Sequence, residues 1–336
     1  MLIPYLFGMA EQQTFKRSGE ILPWINKQED LLVPTLSNNS RDKTGISGFR
    51  AYRQGKTVKV KPSSIYWNGM RIFEILRDEN LSISNVCEII HSQRMRKIAI
   101  ELKPESKRDD GSGYDDETAT GDNMAIFSGI APRYTFMDEG AIELTKEEAE
   151  YLYQKMTTAQ RSRGSLLAFM LKEKILIRKF EDIMESVLPD DLKMYVRLAK
   201  SFADFIYGAH VRYNVVFSRS SDSGEDEEMI EKYREWSETF EFAGFDLATV
   251  LSKVNANARV TVFLQEFYEH AKNGNLEAVD RLIIRREKEI KCDRAKLDKP
   301  QEYRYDPGRR IHYYKLNYRY GSAYAIISDI LSGLEE

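Results

Sequence analysis

Cysteine is nearly absent, and the two that occur, Cys87 and Cys292, are too few for a disulfide framework or a four-ligand zinc site. They read as reduced thiols, which makes the cytoplasm the default location. Histidine is scarce as well: four scattered residues offer no Cys–His or Ser–His–Asp arrangement. No Gly-x-Ser-x-Gly occurs, and the Gly-x-Gly at Gly111 to Gly113 lies in an acidic stretch with no helix after it. That excludes a phosphate-cradling loop. No apolar run approaches the roughly 20 residues that span a bilayer. The opening run "MLIPYLFGMA" is short, has no basic lead-in and is followed by no small-residue cleavage site, which argues against a signal peptide. Charge of one sign is missing too. With 50 Lys and Arg against 53 Asp and Glu the net charge is −3, so the molecule as a whole does not attract nucleic acid or an anionic membrane. Any such contact needs a local patch.

What is present is helical patterning. At 336 residues, 42% hydrophobic and 31% charged, the chain has the composition of a globular protein with a sizeable core. "KPSSIYWNGMRIFEIL" offers Ser63 or Ser64 as an N-cap, with Ile65, Ile72, Phe73 and Leu76 on one side. "LSISNVCEIIHSQRMRKI" repeats the spacing with Ile83, Val86, Cys87 and Ile90. Thr145 and Glu148 form a capping box ahead of Ala149, Leu152, Tyr153 and Met156. The longest stripe runs through Leu192, Tyr195, Ala199, Phe202, Ile206, His210 and Tyr213, with Lys193, Arg197, Lys200 and Asp204 opposite. His210 on that stripe reads as a satisfied core histidine. "RVTVFLQEFYEHA" and "LEAVDRLIIRREKEI" flank Gly274 and read as a helical hairpin.

Strand-like alternation is confined to 56–61, 96–103 and 311–320. Two segments, 104–123 and 218–228, are acidic and rich in Gly, Ser and Thr, as exposed flexible loops are. The fold expected is mainly α: a multi-helix globular fold with a few short β-strands and two acidic flexible loops. Its expected organisation is an N-terminal helical region, 1–103, an acidic insertion and linker, 104–140, and a C-terminal helical region, 141–336.

Residues 45–76 contain Pro62, Ser63, Ser64, Ile65, Tyr66, Trp67 and Gly69 in the order Pro-Ser-Ser-Ile-Tyr-Trp-x-Gly. This stretch resembles the bacterial domain-of-unknown-function family six-three-six-one. Leu2 to Phe7 is similar to an apolar, aromatic-rich helix of that family, and looser likenesses include "LTKEEAEYL", "SLLAFML", "FADFIYGAHVRYN" and "YRYGSAYAIISDILSGL". The resemblance implies a bacterial origin and a shared fold, and it brings no known activity. It also implies that the chain starts inside a family helix, N-terminally truncated, which would leave Ile3, Tyr5, Leu6 and Phe7 exposed. A link to anti-phage defence comes only from the genomic surroundings of such families.

Four patterns carry candidate chemistry. The Pro-Ser-Ser-Ile-Tyr-Trp motif reads either as an anion-binding helix start or, more simply, as helix entry followed by core filling. "KIAIELKP" resembles the third strand of a PD-(D/E)xK nuclease, with Glu101 binding a divalent metal, Lys103 orienting water and Asp78 as the upstream acid. Glu88 and His91 share the i, i+3 spacing of di-iron helices, but the further glutamates such a site needs are out of register. The segment 302–321 interleaves Arg304, Arg309, Arg310, Lys315 and Arg319 with tyrosines that include Tyr313 and Tyr314, a composition suited to phosphates and bases. Arg281, Arg285, Arg286, Lys288 and Lys291 add charge nearby in sequence, diluted by Asp280, Glu287 and Glu289. Together these features point to a non-enzymatic subunit or adaptor of a multi-protein system. Its expected partner is a protein, with DNA or RNA as a second candidate and no membrane, cofactor or metal; the alternative is the metal-dependent nuclease.

Overall fold

Helix is the one extended regular structure in the computed structural model, which describes residues 1–101, 126–129, 135–221, 224–254, 256–299 and 301–335. Among these residues there is no sheet, only an isolated antiparallel bridge between Leu76 and Phe127. The chain divides into two units, Met1–Leu176 with Ala323–Glu336, and Ile177–Ser322. The chain crosses between the units at Leu176/Ile177 and again at Ser322/Ala323.

In the first unit α1 (Leu2–Gln12) is a central element. Ile3, Phe7 and Ala10 join one cluster with Ile21, Ile25, Trp67, Val86 and Ile90, while Tyr5 and Leu6 join another with Leu32, Val33, Leu36 and Phe136. Apolar residues on every side are what such a position demands. The expected exposure of Ile3, Tyr5, Leu6 and Phe7 is thus corrected: all four are buried. Around α1 stand α2 (Ile21–Asn39), the short α3 (Phe49–Arg53), α4 (Pro62–Ile72), α5 (Ile83–Glu101), the single turn α6 (Phe136–Glu139), α7 (Lys146–Thr158) and α8 (Leu166–Lys172). The capping box at α7 has both its bonds, Glu148 N–H to Thr145 Oγ1 at 3.3 Å and Thr145 N–H to Glu148 Oε2 at 3.1 Å. Glu148 also accepts the buried Tyr5 hydroxyl at 3.0 Å, so one side chain starts α7 and anchors α1.

The second unit is built on α9 (Asp190–Ser220), 31 residues and about 46 Å long. Along it lie α10 (Glu227–Thr239), α11 (Leu247–Lys253), α12 (Ala258–Lys272) and α13 (Leu276–Lys291). The expected hairpin is present. Gly274, at φ +64°, closes α12 while Asn275 N–H reaches the His270 carbonyl at 2.9 Å, and the Asn275 side chain then caps α13. The core gathers Phe205, Val211, Val215, Phe217, Met229, Trp236, Phe267, Val279 and Leu282. The stripe read along α9 is only half right: Tyr195 is exposed, and from Ala203 onward residues on several faces are buried, including Arg212, Asn214 and Ser218. The last helix, α14 (Tyr320–Glu335), contributes its residues from Ala323 to the first unit.

The three expected strands are corrected. Residues 56–61 form an irregular lead into α4, with Val60 in solvent and no partner strand among the described residues. Residues 96–101 continue α5, and 102–103 lie outside the described residues. Residues 311–320 contain left-handed backbone at His312, Tyr318 and Arg319, with φ of +43°, +53° and +56°, which a β-ladder does not accommodate. Of the two acidic loops, 104–123 lies outside the described residues. In the other, 218–220 end α9, Asp226 caps α10 and Glu227 and Glu228 begin it, while 222–223 lie outside the described residues.

Candidate functional site

The Arg/Tyr segment is a strap laid along α9 and fastened by side chains. Asn214, buried in α9, donates to the Ile311 carbonyl at 2.7 Å and accepts the Ile311 N–H at 2.8 Å. A primary amide satisfies both backbone groups of one residue in this way, replacing the ladder a strand would have supplied. His210 Nδ1 donates to the Tyr314 carbonyl at 3.3 Å, and the Tyr318 hydroxyl donates to the Ala199 carbonyl at 2.7 Å. Burial pushes the His210 imidazole below its ordinary value, against the Tyr314 bond and with the help of nearby His312.

The strongest fastening is at Asp226. Its carboxylate caps α10 through Met229 N–H at 3.3 Å. It accepts Arg310 in a two-pronged pair at 2.8 and 2.9 Å, and Tyr305 Oη at 2.5 Å. Arg310 also meets Glu228 at 2.6 Å. Burial works against the charge on Asp226, but the bonds from Arg310 and Tyr305 outweigh it and hold the carboxyl below the usual carboxylate value. The same cluster, burial first, drives the Tyr305 phenol far up.

This geometry sorts the candidate nucleic-acid residues. Arg310 has 15% of its side chain exposed and is committed to Asp226 and Glu228, and its guanidinium also lies over the Tyr313 ring. Lys315 is paired with Asp204 at 2.6 Å. Arg309 is 88% exposed with only a loose link to Asp306 at 3.7 Å, and Arg304, Arg319, Tyr313 and Tyr314 also face solvent. The cations of α13 are neutralised: Arg281 by Glu277, Arg285 by Glu266, Arg286 by Glu289, Lys288 by Asp298 and Lys291 by Glu287. Three lightly partnered arginines remain where ten cations had been counted.

Of the nuclease residues, Asp78 precedes the start of α5 and the backbone of Glu101 lies at its far end. Asp78 forms a local turn with Asn80 N–H at 2.9 Å, before α5 begins. Glu101 is the last residue of that helix, 19 residues and about 28 Å long. Lys103 lies outside the described residues. A helix in place of the expected strand thus separates two groups that would have to share one metal ion.

The family-like motif serves the first unit. Pro62 takes the first position of α4 and Lys61 is its N-cap, so neither Ser63 nor Ser64 caps it. Ser63 is fully buried and its N–H donates to Glu29 Oε1 of α2 at 2.7 Å, while Lys61 pairs with Asp30 at 2.5 Å. A carboxylate from another helix therefore neutralises the start of α4, where free N–H groups favour negative charge. Trp67 fills the core against Phe7 and Phe127 and donates to the Leu81 carbonyl at 2.9 Å. Ser64, Ile65 and Tyr66 face solvent, which corrects the reading of Ile65 and Tyr66 as core, and Gly69 lies against Phe73. Burial raises the Glu29 carboxyl above 4.5 despite the Ser63 and Lys61 contacts. A carboxyl so raised binds its proton more tightly when folded, so its charge costs stability as pH rises from about 4.5 through the folded value. Glu29→Gln keeps the acceptor and removes the charge. Chemical denaturation between pH 4.5 and 7 is expected to show that variant gaining stability relative to wild type as pH rises, whereas Glu29→Ala loses about 1–3 kcal/mol throughout.

A cleft that sequence reasoning missed opens beside the strap. It encloses about 490 Å³ between α9, α10 and the turn that follows α10. Its apolar wall is Trp236, Phe240 and Phe245, with Trp236 and Phe240 stacked at 5.5 Å. Its charged rim carries Asp204, Lys232, Glu235, Glu241 and Lys315. Trp236 is anchored by donating to the Asp204 carbonyl at 2.8 Å. The signal that pointed here, a Trp-Phe-Phe-Phe run with interleaved acids at 235–245, has no spacing that distinguishes it from core filling.

No protein-family model matches the chain, and neither a curated protein nor a solved structure is similar to it. Among the described residues no helix is long and apolar enough to cross a membrane.

Proposed function

We infer that the chain is a non-enzymatic adaptor that binds a partner protein through the cleft of its second unit. The observation that carries this reading is the cleft itself, a concavity with an aromatic wall and a polar rim, of the size that takes a small ligand or a few inserted side chains. The strap supports it, because Tyr305, Tyr318 and Arg310 are occupied in holding the unit together while its Lys315 lines the cleft. The test is in-cell cross-linking and co-purification of wild type beside Thr239→Trp, which places a bulky ring at the cleft's edge. A partner retained by wild type and lost by the folded variant supports the reading. An identical set of partners for both overturns it.

A second reading, contact with DNA or RNA, is favoured by the exposed Arg304, Arg309 and Arg319 beside Tyr313 and Tyr314. The magnitude available to this segment argues against it. Three phosphate contacts give a log–log salt slope of about −3 at most, well short of the 6–10 contacts typical of firm non-specific binding.

A further inference from the structure

We propose that the cleft beside Trp236 receives a basic side chain, lysine or arginine, of the partner protein. This rests on the adaptor reading and names the chemistry of what enters. Of the five charged groups on the rim, the two cations are already matched. Lys315 pairs with Asp204 at 2.6 Å, and Lys232 pairs with Glu228 at 3.6 Å. Glu235 and Glu241 have no ion pair among the described residues. The rim thus presents two unmatched carboxylates above an aromatic wall.

A lysine or arginine fits both layers. Its methylene stem lies along apolar surface while its head stays among polar groups. Ring quadrupoles attract the cation in the same place. Phe240 is the ring that offers this, since it is packed by Phe205, Trp236, Phe242 and Phe245 yet is the one ring of the wall that stays half-buried. Trp236 has Phe240 on one side and Phe267, at 5.8 Å, stacked as well, so it serves as a wall rather than a platform. An acidic side chain would meet the unmatched Glu235 and Glu241 and would have to displace Asp204 from Lys315 to find a partner.

The test is fluorescence anisotropy of three labelled peptides of equal length, one basic, one neutral and one acidic, titrated with the full-length protein. The basic peptide is expected to bind and the acidic one not. Glu235→Gln/Glu241→Gln should weaken the basic peptide about fivefold, as expected for two exposed charge contacts. Thr239→Trp should weaken it at least as much. Glu150→Gln/Glu173→Gln, which removes two exposed acids from the first unit, should leave it unchanged. Equal binding of basic and acidic peptides, no binding of the basic peptide, or an equal loss in the remote control overturns the proposal. If Thr239→Trp abolishes a partner in cells while the two charge variants of the cleft leave it bound, the adaptor reading stands and this proposal falls.

Discussion

Replacing Asp226 by alanine is expected to cost the second unit about 3–5 kcal/mol, the loss that follows when one partner of a buried ion pair is removed. The size of the effect comes from convergence. Asp226 holds Arg310 by two bonds, accepts Tyr305 and caps α10, so its removal strands a guanidinium and frees the start of a helix at once. Asp226→Asn separates these roles. Asparagine is as good an N-cap as aspartate, so the cap survives while the charge pair is lost. Urea denaturation of the two variants, with Arg310→Ala and the double mutant completing a cycle, is expected to show strong coupling between positions 226 and 310. Arg309→Ala, next in sequence but 88% exposed, should change stability by no more than about 0.5 kcal/mol. The pH dependence has a definite sign. A carboxyl held below 3.8 when folded contributes stability above that value and loses it as pH falls through the folded one. Wild type should therefore lose its advantage over Asp226→Asn in acid. Equal midpoints for Asp226→Ala and wild type would show that the strap is not fastened at this point.

Trp236→Ala is expected to be comparably damaging, about 3–5 kcal/mol, because it empties the centre of an aromatic cluster. Phe240 and Phe267 stack on the ring, Tyr233 and Phe242 pack beside it, and its N–H satisfies the Asp204 carbonyl. Gly208 makes the arrangement sterically feasible: a Cβ there would overlap the Trp236 ring. In an open helix interior Gly→Ala gains up to about 1 kcal/mol. Here overpacking, about 1–3 kcal/mol, opposes that gain, and a ring held by stacked neighbours cannot move aside cheaply. Gly208→Ala should therefore destabilise wild type, yet stabilise the protein when made together with Trp236→Ala. Thermal denaturation of the four proteins checks this reversal of sign, and a gain from Gly208→Ala in wild type would contradict the packing described.

The sequence announced its helices where the cause is local. Thr145 and Glu148 lie three residues apart, and both capping bonds form. Gly274 and Asn275 sit at a junction whose requirements involve only adjacent residues. It was misleading where the cause is distant. Residues 311–320 have the composition of a strand, but their tyrosines and isoleucine are there to reach α9, as Ile311 does to Asn214, 97 positions away, and Tyr318 does to Ala199, 119 away. Asp226 looked like one more acid in a solvated run, and only Arg310, 84 residues later, distinguishes it. The alternation in "KIAIELK" suits helix and strand equally over so few residues, and α5 had already begun upstream. As for the candidate site, its basic residues were legible as residue types, whereas their neutralisation by Asp226, Glu228 and Asp204 was not. The cleft depends on how α10 and the turn after it sit against α9, which no periodicity encodes.

The Arg/Tyr segment is a structural strap; the proposal built on it is that recognition takes place in the cleft it borders. The most direct measurement is anisotropy of labelled duplex and single-stranded DNA and RNA at about 50 and about 200 mM salt, with wild type and with Arg304→Ala/Arg309→Ala/Arg319→Ala. The account predicts weak binding at most, with a log–log salt slope of magnitude about 3 or less that the triple variant abolishes. Tight binding with a slope of magnitude about 6 or more that the triple variant leaves in place would contradict the account.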